Sequence, residues 1–204
     1  MKASVLVLRK SFLPRPPVLA RLFMAQAVLV LLAILVFATS ETGSASLFQG
    51  PYPLASQLLV GIGSGAFLAG GVEIALLGTP WGRSRTSRFL DQAVPCPTLA
   101  VSLLAALTGG VLAEIFFRAA LQPLVGLWAG AVLFAAWEAT LGQFSLVEDC
   151  RLVSSLFCLA IGVFAGLLFQ SLGPAAAIGF QAAFRLILAG LLSSELRPVQ
   201  PVSW

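Results

Sequence analysis

A carboxylate and a guanidinium lie one helical turn apart inside an apolar stretch, LAEIFFRAALQP, that runs from Leu112 to Pro123. Glu114 is a candidate general base, and Arg118 follows it by four residues. A charged side chain at the middle of a membrane costs at least about 2.5 kcal/mol on insertion scales, so two such charges need a partner or a function. Because residues at i and i+4 share one face of a helix, the two side chains are predicted to form an ion pair.

Further charges interrupt the other apolar runs of the chain. Glu138 and Arg185 lie well inside such runs, and Glu73 lies near the end of one. Glu138 is predicted to reach either Arg185 or Arg118 across a helical bundle, and the sequence does not choose between them. The charges are either structural ion pairs that hold the helices in register or the parts of a buried polar site, since ionisable residues inside a membrane commonly serve a function.

The composition predicts an all-α, polytopic membrane protein. Of the 204 residues 59% are hydrophobic and 10% are charged, whereas ordinary globular chains carry about 25% charged residues. Residues 1–21 form a basic N-terminal segment with prolines that are expected to exclude helix, residues 22–192 a transmembrane helical domain, and residues 193–204 a short polar tail. Pro123 is predicted to mark a tight reversal. About six apolar runs are long enough to suit a membrane span: 22–38, 54–77, 98–121, 124–142, 152–170 and 174–192.

The basic residues predict the orientation of these spans. With the N-terminus in the cytoplasm, ten of the twelve Lys and Arg residues fall on the cytoplasmic side and none lies in an outside loop, which is the positive-inside pattern. Both termini are therefore predicted to be cytoplasmic. The first run, Leu22 to Ala38, is longer than the usual hydrophobic region of a signal peptide. An uncleaved signal-anchor is favoured over a signal peptide that is cleaved near Ser44 to Ser46.

Several classes of site are excluded by residue type. The chain has no histidine, so it lacks the commonest general base and metal ligand. Its cysteines, Cys96, Cys150 and Cys158, have no CxxC spacing and are predicted to be small apolar side chains. Neither a metal nor a cofactor is expected, and a few arginines beside membrane spans do not make a nucleic-acid-binding surface.

Glycines recur at a spacing of four residues in the predicted spans. The segment 61–66 formally matches a dinucleotide-binding pattern, G-x-G-x-x-A, but no strand precedes it and we discard that interpretation. The glycine pairs instead predict close helix packing through small residues. The pairs are Gly61 and Gly65, Gly126 and Gly130, and Gly162 and Gly166.

The segment from Ala113 to Gln122 resembles the first motif, E-E-x-x-x-R, of the CPBP family of CAAX-protease and bacteriocin-processing membrane proteins. Here it stands as Ala113-Glu114-Ile-Phe-Phe-Arg118. The second motif, F-x-x-x-H, is similar to Phe134-Ala-Ala-Trp-Glu138. The resemblance covers about residues 98–190 and implies a CAAX-protease-like helical core. It also implies an intramembrane glutamate peptidase, in which the first Glu and the second-motif His activate a water molecule.

This chain departs from the family pattern at most of the hydrolytic positions. The first Glu is Ala113, the second-motif His is Glu138, and neither His nor Asn or Asp follows Gly173-Pro174 where the third motif, H-x-x-x-(N/D), is expected. Hydrolysis needs a base for the water, a proton donor for the leaving amine and an oxyanion partner. Glu114 is the only candidate base in the first motif, and the neighbouring Arg118 makes its carboxylate a weaker proton acceptor.

These departures favour a catalytically degenerate member that binds a membrane partner, as a scaffold or assembly factor. Its expected partners are membrane lipids and another membrane protein or a membrane-embedded peptide. One alternative is an active peptidase with a rewired centre of Glu114 and Glu138. It requires both carboxylates to line one cavity, and it fails if Glu138 faces lipid or is bound to Arg185. A small transporter subunit is a second alternative, which would favour internal repeats or broken helices at the midplane.

The predicted Glu114–Arg118 pair can be tested by mutation. Arg118→Ala is expected to lower stability because it leaves Glu114 unpaired in a low dielectric, whereas removing both charges together should cost less. The measurement is the melting temperature in detergent of the single variant and of the double variant. Equal melting temperatures would contradict the prediction.

Overall fold

The computed structural model describes residues 16–39, 50–78, 99–140 and 151–195, and within these ranges the chain is helical with no strand. The basic loop with Arg83, Arg85 and Arg88, the candidate cleavage site, Cys96 and Cys150 lie outside the described residues. So does the predicted polar tail from residue 196 on, whereas its first three residues, 193–195, end the last helix. The helices are α1 (Pro16–Thr39), α2 (Leu54–Gly78), α3 (Leu99–Glu114), α4 (Gln122–Thr140), α5 (Arg151–Ser171) and α6 (Pro174–Glu195), with a π-helical segment, Ile115–Leu121, between α3 and α4.

Apart from Gly126, the six predicted apolar runs are helical over their described residues, which confirms the all-α fold class. The main difference at a boundary is the start of α1, which begins at Pro16, inside the segment that was expected to exclude helix. Proline is tolerated in the first turn of a helix because the N–H groups there have no intrahelical acceptor. The prolines therefore mark the beginning of this helix rather than a break before it.

Three helical stretches are long and apolar enough to cross a membrane: Leu54–Ala75, Leu107–Thr140 and Ser154–Ser171. Two further apolar stretches, Met24–Thr39 and Pro174–Leu188, are shorter. Many large apolar side chains are solvent-exposed in the isolated chain, among them Phe67, Ile74, Leu124 and Trp128. Exposed apolar surface of this extent is typical of a protein that is surrounded by lipid.

The chain reverses at Gly126 and not at Pro123 as predicted. Gly126 has φ +83° and ψ 172°, a conformation inside α4 that is not helical. A Cβ built on Gly130 would lie 3.6 Å from the Cβ of Gln122, although residues eight apart in an unbroken helix are separated by about 12 Å. Leu107–Thr140 is therefore two antiparallel arms. A positive φ with an extended ψ is essentially restricted to glycine, whereas Pro123 fits in a helical first turn.

The π-helical segment precedes this reversal. Its last turn is closed by the N–H of Gln122, which donates to the carbonyl of Phe117 five residues earlier. Pro123 has no N–H, and its ring crowds the carbonyl of the residue four positions back, so a wider turn relieves the strain there. Because this turn holds more residues than an α-helical one, residues four apart, such as Arg118 and Gln122, come closer to the same face.

Helix α6 lies at the centre of the bundle and packs against α2, α3 and α5. Gly61 and Gly65 of α2 face the backbone of Ala176 and Phe180, and a Cβ on either glycine would collide with a carbonyl oxygen of α6. The predicted close approach through these two glycines is confirmed. Buried aromatic and alanine side chains of all six helices form the surrounding core.

The other two glycine pairs have different outcomes. Gly162 of α5 packs against Ala131 and Phe134 of α4, and Gly166 lies against Leu127 and Gln122, so this predicted contact is confirmed. The pair Gly126 and Gly130 is wrong as a packing surface, because Gly126 forms the reversal and a Cβ there would meet open space. This pair has the same four-residue spacing as the other two pairs, but the backbone at Gly126 is not helical.

The role of Gly126 predicts a specific effect of substitution. Gly126→Ala is expected to lower the free energy of unfolding by about 1–3 kcal/mol, since an L side chain is strained at this φ and ψ. The matched control is Gly63→Ala on α2, where a Cβ meets nothing within 4 Å and alanine is the better helix former. Thermal unfolding in detergent measures both, and an unchanged melting temperature for Gly126→Ala would contradict the assignment of the reversal.

Candidate functional site

Three buried charged side chains, Glu114, Glu138 and Arg185, form one layer near the middle of the bundle. Glu114 and Glu138 each lie 12 residues from Gly126, and Arg185 lies 12 residues from Gly173, the other glycine with positive φ. At the α-helical rise this is at most about 18 Å from the turns, close to half of the roughly 30 Å hydrocarbon core of a bilayer. The two reversals thus set the depth of three charges that are distant in sequence.

The first group of the layer is built on α3 and the π-helical segment. Arg118 Nε lies 3.4 Å from Glu114 Oε2, and both side chains are almost completely buried. On its other side, Arg118 Nη1 donates to Gln122 Oε1 at 3.3 Å. Gln122 Nε2 then donates to the backbone carbonyl of Gly166 on α5 at 3.2 Å. The predicted i,i+4 pair is confirmed, and an amide fixes the guanidinium to a neighbouring helix.

Two glycines make the space that this group occupies. A Cβ on Gly166 would lie 2.9 Å from Gln122 Oε1 and 3.5 Å from Arg118 Nη1, and a Cβ on Gly130 would lie 3.7 Å from the same nitrogen. The ring of Phe134 lies 5.2 Å from the guanidinium carbon of Arg118, within the range of a cation–π contact. The cation is therefore held by a carboxylate, an amide and an aromatic ring.

The second group connects α4 to α6. Arg185 Nη2 donates to Glu138 Oε1 at 2.7 Å, and Arg185 Nε donates to Gln181 Oε1 at 3.3 Å. A Cβ on Gly110 of α3 would lie 3.0 Å from Arg185 Cδ. The absence of a side chain at Gly110 therefore leaves room for the aliphatic part of Arg185. Of the two partners that the sequence left open for Glu138, the structure selects Arg185.

The two groups are adjacent and form one polar cluster, defined here as Glu114, Arg118, Gln122, Glu138, Gln181 and Arg185. Gln181 and Arg185 lie close enough to Glu114 to interact with it electrostatically. Beyond Arg185 the polar contacts extend to α1, where Gln26 Oε1 accepts a hydrogen bond of 3.4 Å from Thr108. The cluster therefore involves side chains from α3, α4 and α6 and borders α1.

The polar cluster has hydrogen-bonding capacity that is not used by the described residues. Among them, Glu138 Oε2 and Arg118 Nη2 have no hydrogen-bond partner, and the contacts of the Glu114 oxygens with Arg118 and Gln181 fall short of well-formed hydrogen bonds. Buried polar atoms are nearly always paired with protein or with ordered water. Carboxylate acceptors and guanidinium and amide donors in one place can bind water or a neutral group that both donates and accepts, such as an amide.

All three predicted site residues belong to the cluster, but they do not form the paired-carboxylate centre. Glu138 is bound to Arg185, the arrangement that was named above as incompatible with that centre. Ala113, at the position of the first motif Glu, is buried and apolar. Two residues of the cluster were missed, Gln122 and Gln181. Each is an amide four residues from a buried arginine inside an apolar helix, and this spacing was the signal that could have found them.

Other candidate chemistry is not supported by the described residues. Within them, no three His, Cys, Asp or Glu residues lie together as metal ligands would. Cys158 is buried as predicted for a small apolar side chain. Glu73 on α2 is half-buried and is not part of the polar cluster.

Comparisons with family models, with curated proteins and with solved structures give no match to this chain. The polar cluster therefore has to be interpreted from its own residues and geometry.

The bridging role of Gln122 predicts that Gln122→Leu lowers the free energy of unfolding by about 1.5–3 kcal/mol, the usual value for a hydrogen bond to a charged group. The substitution removes an acceptor from Arg118 and a donor from the carbonyl of Gly166. Gln170→Leu, at an exposed position of α5, is the matched control and should change stability little. Thermal unfolding in detergent compares the two, and equal shifts would show that the bridge is not important.

Proposed function

We propose that this chain is a divergent, catalytically degenerate CPBP-type membrane protein that binds a membrane-embedded partner and does not hydrolyse peptide bonds. It crosses the membrane six times with both termini in the cytoplasm. Its role is that of a scaffold or assembly factor, with membrane lipids around it and a protein helix or embedded peptide as the bound partner.

The arrangement of the helices supports the multi-pass topology. Three stretches are long and apolar enough to cross, one of them folded back on itself at Gly126, and α1 and α6 are packed into the same core through Leu29, Ala33, Phe180 and Phe184. Because α1 contributes to this core and its Gln26 pairs with Thr108, an uncleaved first helix is favoured over a signal peptide that is removed. The positive-inside pattern then orients the six helices.

The residues of the polar cluster support the family resemblance. Glu114, Arg118 and Glu138 are the positions carried over from the first two motifs, and they converge in three dimensions through Arg185.

The single observation that carries the proposal is the 2.7 Å bond between Arg185 Nη2 and Glu138 Oε1. This bond engages Glu138, the second carboxylate of the Glu114–Glu138 centre that the peptidase alternative requires. Glu114 is the carboxylate that remains, and Arg118 faces it. A peptidase needs a base, a proton donor and an oxyanion partner around one water, and this cluster supplies two neutralised ion pairs.

The two alternatives are less well supported. The active peptidase with Glu114 and Glu138 would require Arg185 to release Glu138, which leaves two unpaired charges in a low dielectric. The transporter would favour a broken helix at the midplane, but the break at Gly126 lies 12 residues from the charge layer, at the end of the bundle.

A peptidase assay tests the absence of hydrolysis. The full chain, reconstituted in liposomes, is incubated with prenylated peptides and with single-span peptides, and products are followed by mass spectrometry. We expect no turnover above that of empty liposomes. Turnover that is abolished by Glu114→Gln and retained by the control Glu73→Gln would overturn the proposal.

Photo-cross-linking in native membranes tests the partner. A photoreactive amino acid at Ala119, beside Arg118 in the π-helical segment, is expected to give a discrete protein adduct whose yield falls in the Glu114→Gln variant. The control position is Phe67, which is 85% exposed on α2 and should give lipid adducts only. The absence of a protein adduct at Ala119, or the same adduct at both positions, would contradict partner binding through the cluster.

A further inference from the structure

Helix α6 combines a central position with a composition that is poorly suited to insertion by itself. Its apolar run, residues 174–192, is long enough to suit the hydrocarbon core, so length does not limit its insertion. However, it carries Gln181 and Arg185 on one face. An arginine at the centre of a helix opposes insertion strongly, so an isolated α6 is a weak membrane span.

The rest of the bundle offers α6 a matching surface. Gly61 and Gly65 of α2 accept the backbone of α6 at van der Waals contact, Gly110 of α3 accepts the stem of Arg185, and Glu138 of α4 accepts its charge. Most side chains from Pro174 to Arg185 are buried against these helices. The surface thus provides glycines that face the backbone of α6 and the Glu138 carboxylate that accepts a hydrogen bond from Arg185.

The order of the chain makes this dependence directional. Helices α2, α3 and α4 precede α6, and N-terminal parts of a chain generally fold first during synthesis. The carboxylate of Glu138 is therefore in place before Arg185 arrives. Without α6, Glu138 would remain a buried charge with no cation, which is costly in a low dielectric. Each charge thus lowers the cost of placing the other in the membrane.

We propose that α6 is a conditional membrane span, which enters the membrane only when Glu138 of α4 is present to bind Arg185. Insertion of α6 then closes the bundle and completes the polar cluster, because it supplies Gln181 and Arg185 in one step. This inference rests on the proposed six-span topology, and its test reports on that topology separately.

The test is glycosylation mapping of the full chain translated into microsomes, with an acceptor site appended after Trp204 and a second acceptor in the loop between α1 and α2. In the proposed topology the loop is modified and the tail is not. For Glu138→Leu we expect at least a fivefold larger fraction of chains with a modified tail, because α6 stays outside the membrane. Arg185→Leu and the double variant should leave the tail unmodified, since their α6 has no charge to neutralise.

The matched control is Glu73→Leu, which removes a carboxylate from α2 that is not part of the polar cluster and should leave the tail unmodified. An unmodified tail in Glu138→Leu would overturn the inference, as would a modified tail and loop in the unsubstituted chain. An unmodified loop with a modified tail would instead overturn the proposed orientation. With that inverted orientation, an α6 that fails to insert leaves the tail on the cytoplasmic side. The inference then predicts that Glu138→Leu loses the tail modification and that Glu73→Leu retains it.

Discussion

The ion pair between Glu138 and Arg185 connects α4 to the central helix, and the arrangement of the other polar groups depends on it. With Glu138 bound, Arg185 lies against Gly110 and donates to Gln181, which in turn comes close to Glu114. Removing two charges from water costs free energy that their attraction only partly returns, so such a pair adds little net stability compared with apolar residues of the same shape. Its effect is on register. Helix α6 has one position in which Arg185 meets Glu138 while Ala176 packs against Gly61 of α2.

Glycine makes this register possible. Gly61 and Gly65 bring the backbones of α2 and α6 together, while Gly130 and Gly166 leave the volume that the Arg118 guanidinium and the Gln122 amide fill. A membrane bundle gains little from burying apolar surface, because lipid is equally apolar, and relies on packing and on hydrogen bonds between helices. The same small residues therefore serve two purposes here, close backbone packing and room for buried polar side chains.

The chemistry of the polar cluster follows from how its charges are distributed. Each arginine has a glutamate and a glutamine within reach, so neither carboxylate faces a water as an unopposed base. What remains available is hydrogen bonding by Arg118 and Gln181, by the second oxygen of Glu138, and by Glu114, whose oxygens have no well-formed hydrogen bond. That capacity suits recognition of a neutral polar group inside the membrane better than bond cleavage, and it is the physical reason for proposing a binding role.

Much of this protein is determined by its sequence alone. Apolar run length predicted the six helices, and the i,i+4 rule predicted the Glu114–Arg118 pair, because both depend on local periodicity. Only the tertiary structure decided the partner of Glu138, the recruitment of Gln122 and Gln181, and the reversal at Gly126 in place of Pro123. These features depend on which helices meet and at what depth. Two residues 47 positions apart, Glu138 and Arg185, have no periodic relation in the chain. They meet because each follows a glycine turn, Gly126 or Gly173, by 12 residues on helices that pack in one bundle.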